Sequence, residues 1–201
     1  MHNWAMTLHE TPSDPRTRRT LALLERAMSS LLETQSITDI KVSELCRVAG
    51  IHRTTFYKHF SSVAEFAAYM YSTLIDDLAR VDEEQLPPSA EEVPEHYRRA
   101  LQGMLDHIAQ NRRAYRRLFA SGGDHQFQRI VADVMTTRAH EAHERLVARG
   151  REIPIDAETG ARIVGAACAG AMGVWAEQDA VDSEQRSREI MSALPPWWRG
   201  R

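Results

Sequence analysis

The sequence predicts an all-α chain in two parts. A short N-terminal domain of three helices carries a helix-turn-helix, and a larger helical domain follows it. Three observations lead there. Apolar residues recur at three- and four-residue spacing through nearly every segment, which is the period of a half-buried helix. Sustained period-2 alternation and Asn-Gly hairpin signals are missing, so strands have no support. In residues 41–60, KVSELCRVAGIHRTTFYKHF, a glycine separates two short amphipathic segments. The expected division is a tail over 1–14, the helix-turn-helix domain over 15–62, a helical domain over 63–194 and a second tail over 195–201.

Asp14-Pro15 starts the first helix, with Asp as N-cap and Pro at the first helical position. Leu21, Leu24, Ala27, Met28, Leu31 and Leu32 then line one face to about Thr34. Gln35–Lys41 reads as a loop. Val42, Leu45, Cys46 and Ala49 mark the inner side of a second helix, and Gly50 ends it. Ile51 points inward and a third helix opens at His52 or Arg53. Ser61 or Ser62 caps a fourth, whose stripe is Val63, Phe66, Ala67, Met70, Tyr71, Leu74, Ile75 and Leu78. The polar, proline-bearing stretch Asp82–Pro94 interrupts the pattern. Helices are then expected from about Glu91 or Pro94 to Gln110, over Arg112–Ala120, and from Asp124 to Arg149 after the turn Ser121-Gly122-Gly123-Asp124. After a break at Gly150–Pro154, Asp156–Gln178 and Ser183–Leu194 complete the set. The tail PPWWRGR is expected to fray or to pack its tryptophans locally.

Composition excludes several classes. The chain has 201 residues, is 43% apolar and 26% charged, and fits a globular protein with a real core. The longest apolar run, Ile163–Ala176, is 14 residues against the roughly 20 a membrane span needs. The N-terminus MHNWAMTLHETPSD lacks the basic start and apolar run of a signal peptide, and a cytoplasmic location is expected. Cys46 and Cys168 lie far apart and read as reduced, buried thiols. His140 and His143, beside Glu141 and Glu144, lack the i, i+4 histidine spacing of a zinc-protease helix, and neither metal nor cofactor is expected. No nucleophile stands in a recognisable catalytic setting, so an enzyme is not expected.

Charge is uneven. Pro15–Phe60 holds 8 Lys and Arg against 4 Asp and Glu, a balance of +4, so the net −3 of the chain leaves −7 elsewhere. A basic end on an acidic body suits contact with a polyanion at that end. The helix-turn-helix supplies what a helix in the DNA major groove needs. Leu45, Ala49, Ile51, Phe56 and Phe60 sit behind it. His52, Arg53, Thr54 and Thr55 stand at its start, where short polar side chains approach base edges, and Tyr57, Lys58 and His59 offer donors to phosphates. Arg53 is the candidate for a bidentate contact to guanine. Arg18, Lys41 and Ser43 complete the expected DNA surface.

Over about Arg16–Met70 the chain resembles the DNA-binding domain of the tetracycline-repressor (TetR) family of transcriptional regulators. The resemblance rests on an apolar first helix with Arg18 and Arg19 near its start, on Ala49-Gly50-Ile51, and on Thr54-Thr55-Phe56-Tyr57-Lys58-His59-Phe60 leading to a helix with Phe66. It implies that Thr55, Tyr57 and His59 hold the DNA backbone, while His52, Arg53, Thr54 and Lys58 read bases or flank those that do. Two positions depart from the family pattern. Glu33-Thr34-Gln35 stands where Glu-x-Gly often ends the first helix, and His52 stands where serine often caps the third. Further on, Tyr115–Phe119, Gly123-Asp124 and a late helix ending in Trp175 resemble one common C-terminal subtype.

The resemblance implies a homodimer on a palindromic double-stranded operator, with a C-terminal domain that dimerises and takes a small-molecule effector. Small residues Gly165, Ala166, Ala169, Gly170 and Gly173 mark the expected dimer interface. Met104, His107, Ile108, Phe119, Phe127, Val131, Met135 and Trp175 are the candidate pocket residues. The function expected is a ligand-responsive regulator, most often a repressor in this family. The alternatives are an effector-independent activator or co-regulator working through a protein partner, and a small-molecule-binding helical protein whose DNA domain no longer functions.

Overall fold

The computed structural model describes residues 14–35, 37–80, 89–120, 126–179 and 182–199, and among these there is no strand. The chain divides into two compact units, one up to Thr73 and one from Leu74.

In the first unit, α1 spans Pro15–Leu32. Asp14 caps it by accepting from the Arg16 backbone N–H at 3.0 Å, and its buried stripe is Leu21, Leu24, Ala27, Met28 and Leu31. α2 covers Val42–Ala49, α3 covers Arg53–Tyr57, and α4 runs Val63–Ala79. The start of α4 is fixed by Ser62, whose Oγ accepts from the Glu65 N–H at 3.1 Å, while the Glu65 carboxylate accepts from the Ser61 N–H at 2.7 Å. This reciprocal pairing satisfies two N–H groups that the helix itself leaves unpaired.

The boundary between units falls at Thr73/Leu74, inside α4. The cause is aromatic packing. Phe66 meets Phe56 at 6.4 Å and Phe60 at 5.0 Å between ring centroids, and Tyr69 meets Phe60 at 5.4 Å. The first half of α4 thereby closes the core of the first unit.

In the second unit α5 is Val93–Gln110, α6 Arg112–Ala120, α7 Gln126–Ala148, α8 Ala157–Glu177, α9 Ser183–Ala193 and α10 Pro196–Arg199. The turn expected at 121–124, with Asp124 as N-cap, lies outside the described residues. α7 and α8 form the central pair. A Cβ built on Gly165 would stand 2.4 Å from Thr136 Oγ1 and 2.6 Å from its backbone N, so a glycine is what lets the two helices approach. Trp175 ties α8 to α5 by donating its indole N–H to the Leu105 carbonyl at 2.8 Å. Two arginines of α6 close the C-terminus of α8. Arg116 donates to the Ala176 and Glu177 carbonyls at 2.9 and 2.8 Å, and Arg112 donates to those of Trp175 and Gln178. Cations there satisfy exposed carbonyls and oppose the negative helix end.

The C-terminal tryptophans are not frayed. Pro196–Arg199 forms a short helix, Trp198 is buried, and its carbonyl accepts from Arg151. No helix among the described residues is long and apolar enough to cross a membrane.

Candidate nucleic-acid interface

The turn between α2 and α3 is built around Gly50, which takes φ 68° and ψ 31° at the end of α2. This left-handed conformation suits glycine because it carries no Cβ. It lets the Ile51 N–H reach back to the Cys46 carbonyl at 3.0 Å and so redirects the chain into α3. Leu45, Ala49, Phe56 and Phe60 are buried behind the turn, and Ile51 is half-buried. Tyr57 projects from the outer side, 56% exposed, with its ring edge-on to Phe56 at 5.7 Å.

Most of the residues expected to face DNA are solvent-exposed. Arg18, Lys41, His52, Arg53, Thr54, Tyr57, Lys58 and His59 are exposed, while Ser43 and Thr55 are half-buried. His52 stands at the N-cap of α3 in an extended backbone conformation and makes no side-chain capping bond, so its imidazole is not committed to its own helix. Among the described residues, Arg18, Lys41, Arg53 and Lys58 form no ion pair. Their charges remain available to phosphates and base edges. The other departure from the family pattern is absorbed locally: Gln35 donates its amide to Glu44 at 2.8 Å and ties the end of α1 to α2.

The second unit holds a cavity of about 40 Å³. Of the eight residues expected to line a pocket, Met104 and Met135 do so. Ile108, Phe127, Val131 and Trp175 are buried in the core. His107, Tyr115, Phe119 and Phe127 form an aromatic cluster with centroid separations of 5.0–6.4 Å. Burial pushes the His107 imidazole below its ordinary pKa, which keeps the ring neutral. The walls that the sequence did not suggest include Tyr97, Leu101, Arg138, Cys168, Met191 and Trp198. They come from α5, α7, α8, α9 and α10, and no local motif links them. The Cys168 thiol, deep in this wall, is raised to about 12 by burial and is inert as a nucleophile.

The small residues of α8 divide between two faces. Gly165 and Ala169 turn inward, Gly165 against Thr136 of its own chain, so these two expected interface residues are internal packing positions. Ala166 is exposed, Gly170 is half-buried with open space beside it, and Gly173 lies against Phe119. Ile163 and Val174 stand out at 43% and 51% exposed. Among the described residues no cluster of three His, Cys, Asp or Glu side chains is arranged to hold a metal.

A three-helix unit presenting a basic helix-turn-helix, joined by α4 to a separate helical unit, is the architecture of a transcription regulator. The chain belongs to the TetR family of transcriptional regulators. A family model described as "Transcriptional regulator C-terminal region" (TetR_C_8) matches residues 95–194. Among solved structures, the chain is similar to the TetR family repressor AlkX from Dietzia sp. strain DQ12-45-1b, with TM-score 0.62, 17% identity, and coverage of 89% of this chain and 96% of that one. It is also similar to the dihydroxyacetone kinase operon activator DhaS, with TM-score 0.60, 16% identity, and coverage of 87% and 93%. A TetR transcriptional regulator from Rhodococcus sp. RHA1 gives TM-score 0.60 at 12% identity, covering 90% and 97%. At these identities the likeness is one of fold, and that fold serves a repressor and an activator alike. No curated protein matches the chain in sequence. The family consists of non-enzymatic regulators.

Proposed function

We propose that this chain is a ligand-responsive repressor that binds a palindromic double-stranded operator as a homodimer. The observation that carries the reading is the outer surface of α3 and its approaches, where Arg53, Thr54, Tyr57, Lys58 and His59 are exposed together over a buried aromatic base. Two such helices, one per subunit, would enter successive major grooves about 34–36 Å apart. Repression is the sign proposed because it needs nothing beyond occupancy of the operator. An effector held in the second unit releases DNA only through differential affinity for the two forms, and about 4 kcal/mol of preference gives on the order of 10³-fold.

The test uses a duplex that the protein itself selects from a random pool. Arg53→Ala should cost about 1–3 kcal/mol on the selected sequence and relax base choice at one position of each half-site. Tyr57→Phe should weaken selected and unrelated duplexes by a similar factor. If both variants bind like the wild type, α3 is not the reading helix and the proposal fails.

A further inference from the structure

The cavity of the second unit has one charged side chain on its wall, and that charge is already committed. Arg138 donates Nε to Asp76 Oδ1 at 2.7 Å and Nη2 to Asp76 Oδ2 at 2.6 Å, a bidentate fork. Its Nη1 donates to both Glu141 oxygens at 3.0 Å. The pair is well shielded, with side-chain exposures of 14% for Arg138 and 7% for Asp76. Arg80 lies 3.6 Å from Asp76, and Arg145 lies 3.8 Å from Glu141. With Asp77, 3.7 Å from Arg80, the three guanidiniums face three carboxylates.

This arrangement selects against charge in a ligand. An anion seeking Arg138 would have to break its bidentate fork to the shielded Asp76 or its bonds to Glu141, and breaking a shielded ion pair is strongly unfavourable. A cation finds no carboxylate on the wall. What the wall does offer is Leu101, Met104, Met135, Val164, Met191 and Trp198. At about 40 Å³ the cavity has room for a few waters at roughly 10–15 Å³ each. Its three methionines are unbranched and adapt their shape to an occupant.

We infer that this cavity is a binding site for a small, neutral, mainly apolar molecule, with the Arg138–Asp76–Glu141 cluster acting as a charge-sealed wall that rejects acids and amines of the same size. The inference rests on the effector-responsive reading and names the class of effector. It also gives occupancy something to act on. Asp76 and Ala79 both belong to α4, the helix that begins at Val63 in the first unit.

The experiment titrates the full chain with 1-propanol, propanoate and propylamine at pH 7.5, probes short enough for a cavity of this size. Intrinsic tryptophan fluorescence reads occupancy, and Trp198→Phe identifies the reporting ring. Propanol should saturate a single site at least tenfold more tightly than either charged analogue. Ala100→Leu, at a half-buried wall position, should weaken propanol at least tenfold with an unchanged circular dichroism spectrum. Equal or tighter binding of propanoate or propylamine overturns the inference, as does failure of all three to bind. The wild-type comparison decides this even if the variant does not fold. Propanol that binds without altering operator affinity supports the site and overturns the effector-responsive reading. Propanoate that binds preferentially and releases the operator does the reverse.

Discussion

At the residue scale, His143 has the most consequential environment outside the helix-turn-helix. It is 6% exposed, its Nδ1 has no hydrogen-bond partner, and its ring meets Trp197 at 6.4 Å. Burial, reinforced by the neighbouring His140, pushes its pKa below the ordinary 6.5. A base with a depressed folded-state pKa contributes stability that is present above the unfolded value. That stability is lost as pH falls from about 6.5 toward the folded value, because the unfolded chain takes up the proton first. His107 acts in the same direction. The capping carboxylates Asp14 and Asp156 are lowered from 3.8 by backbone N–H donors and act only at far lower pH. The thermal midpoint should therefore drop between pH 7.5 and 5.5, and His143→Gln should shrink that drop. A variant whose midpoint falls as far as the wild type would show that this imidazole is not the responsible group. The sequence places the two histidines on one helix without marking either as buried. The burial of His143 depends on Trp197 and on the α8 residue Gly160, neither of which is its neighbour in sequence.

At the scale of elements, the chain displayed its local rules openly and its choice of faces poorly. Asp14-Pro15, Gly50 and Ser62 fix helix ends through nearest-neighbour chemistry, so α1, α2 and α4 begin or end within a residue or two of expectation. α8 is different. It is small and apolar on most sides, and three- and four-residue spacing alone does not say which side meets α7. Gly165, expected on the outward face, instead sits close against Thr136 of α7. The cavity was equally hidden, because Tyr97 and Trp198 are far apart in the chain and meet only after α5 and α10 have packed. Gly165→Ala would place its methyl against the Thr136 backbone, which cannot yield as a flexible side chain does. It should cost about 1–3 kcal/mol. Gly103→Ala, in α5 with open space around it, should instead stabilise by about 0.5–1 kcal/mol. Denaturant melts of the two variants should shift in opposite directions, and a shift of both to lower stability would mean that the α7–α8 approach is not what requires Gly165.

At the scale of the whole molecule, one face remains to be accounted for. Along the outside of α8 run Ile163, Ala166, Ala167, Gly170 and Val174, an apolar stripe with its two largest members 43% and 51% exposed. Contiguous apolar surface of this kind favours a partner. Self-association about a two-fold axis would bring the same stripe from a second copy against it, and the flat alanine and glycine positions would allow the helices to approach closely. The outer side of α9 does not extend this stripe, since Glu184, Gln185, Arg188 and Glu189 are exposed there. Two-fold pairing also matters for DNA. With only the +4 stretch Pro15–Phe60 to hold a duplex against a body of −7, a single subunit has few phosphate contacts, whereas two linked copies bind as one unit. The double variant Ile163→Glu/Val174→Glu should therefore keep its helical signal and sediment at the 22.8 kDa of one chain, where the wild type should sediment at twice that mass. Its affinity for a palindromic duplex should fall at least a hundredfold, toward that for an isolated half-site, because the gain from tethering is typically 10²–10⁴. A variant that stays dimeric would move the interface to another face of the second unit. A monomeric variant that still held the palindrome as tightly as the wild type would remove two-fold pairing from the mechanism altogether.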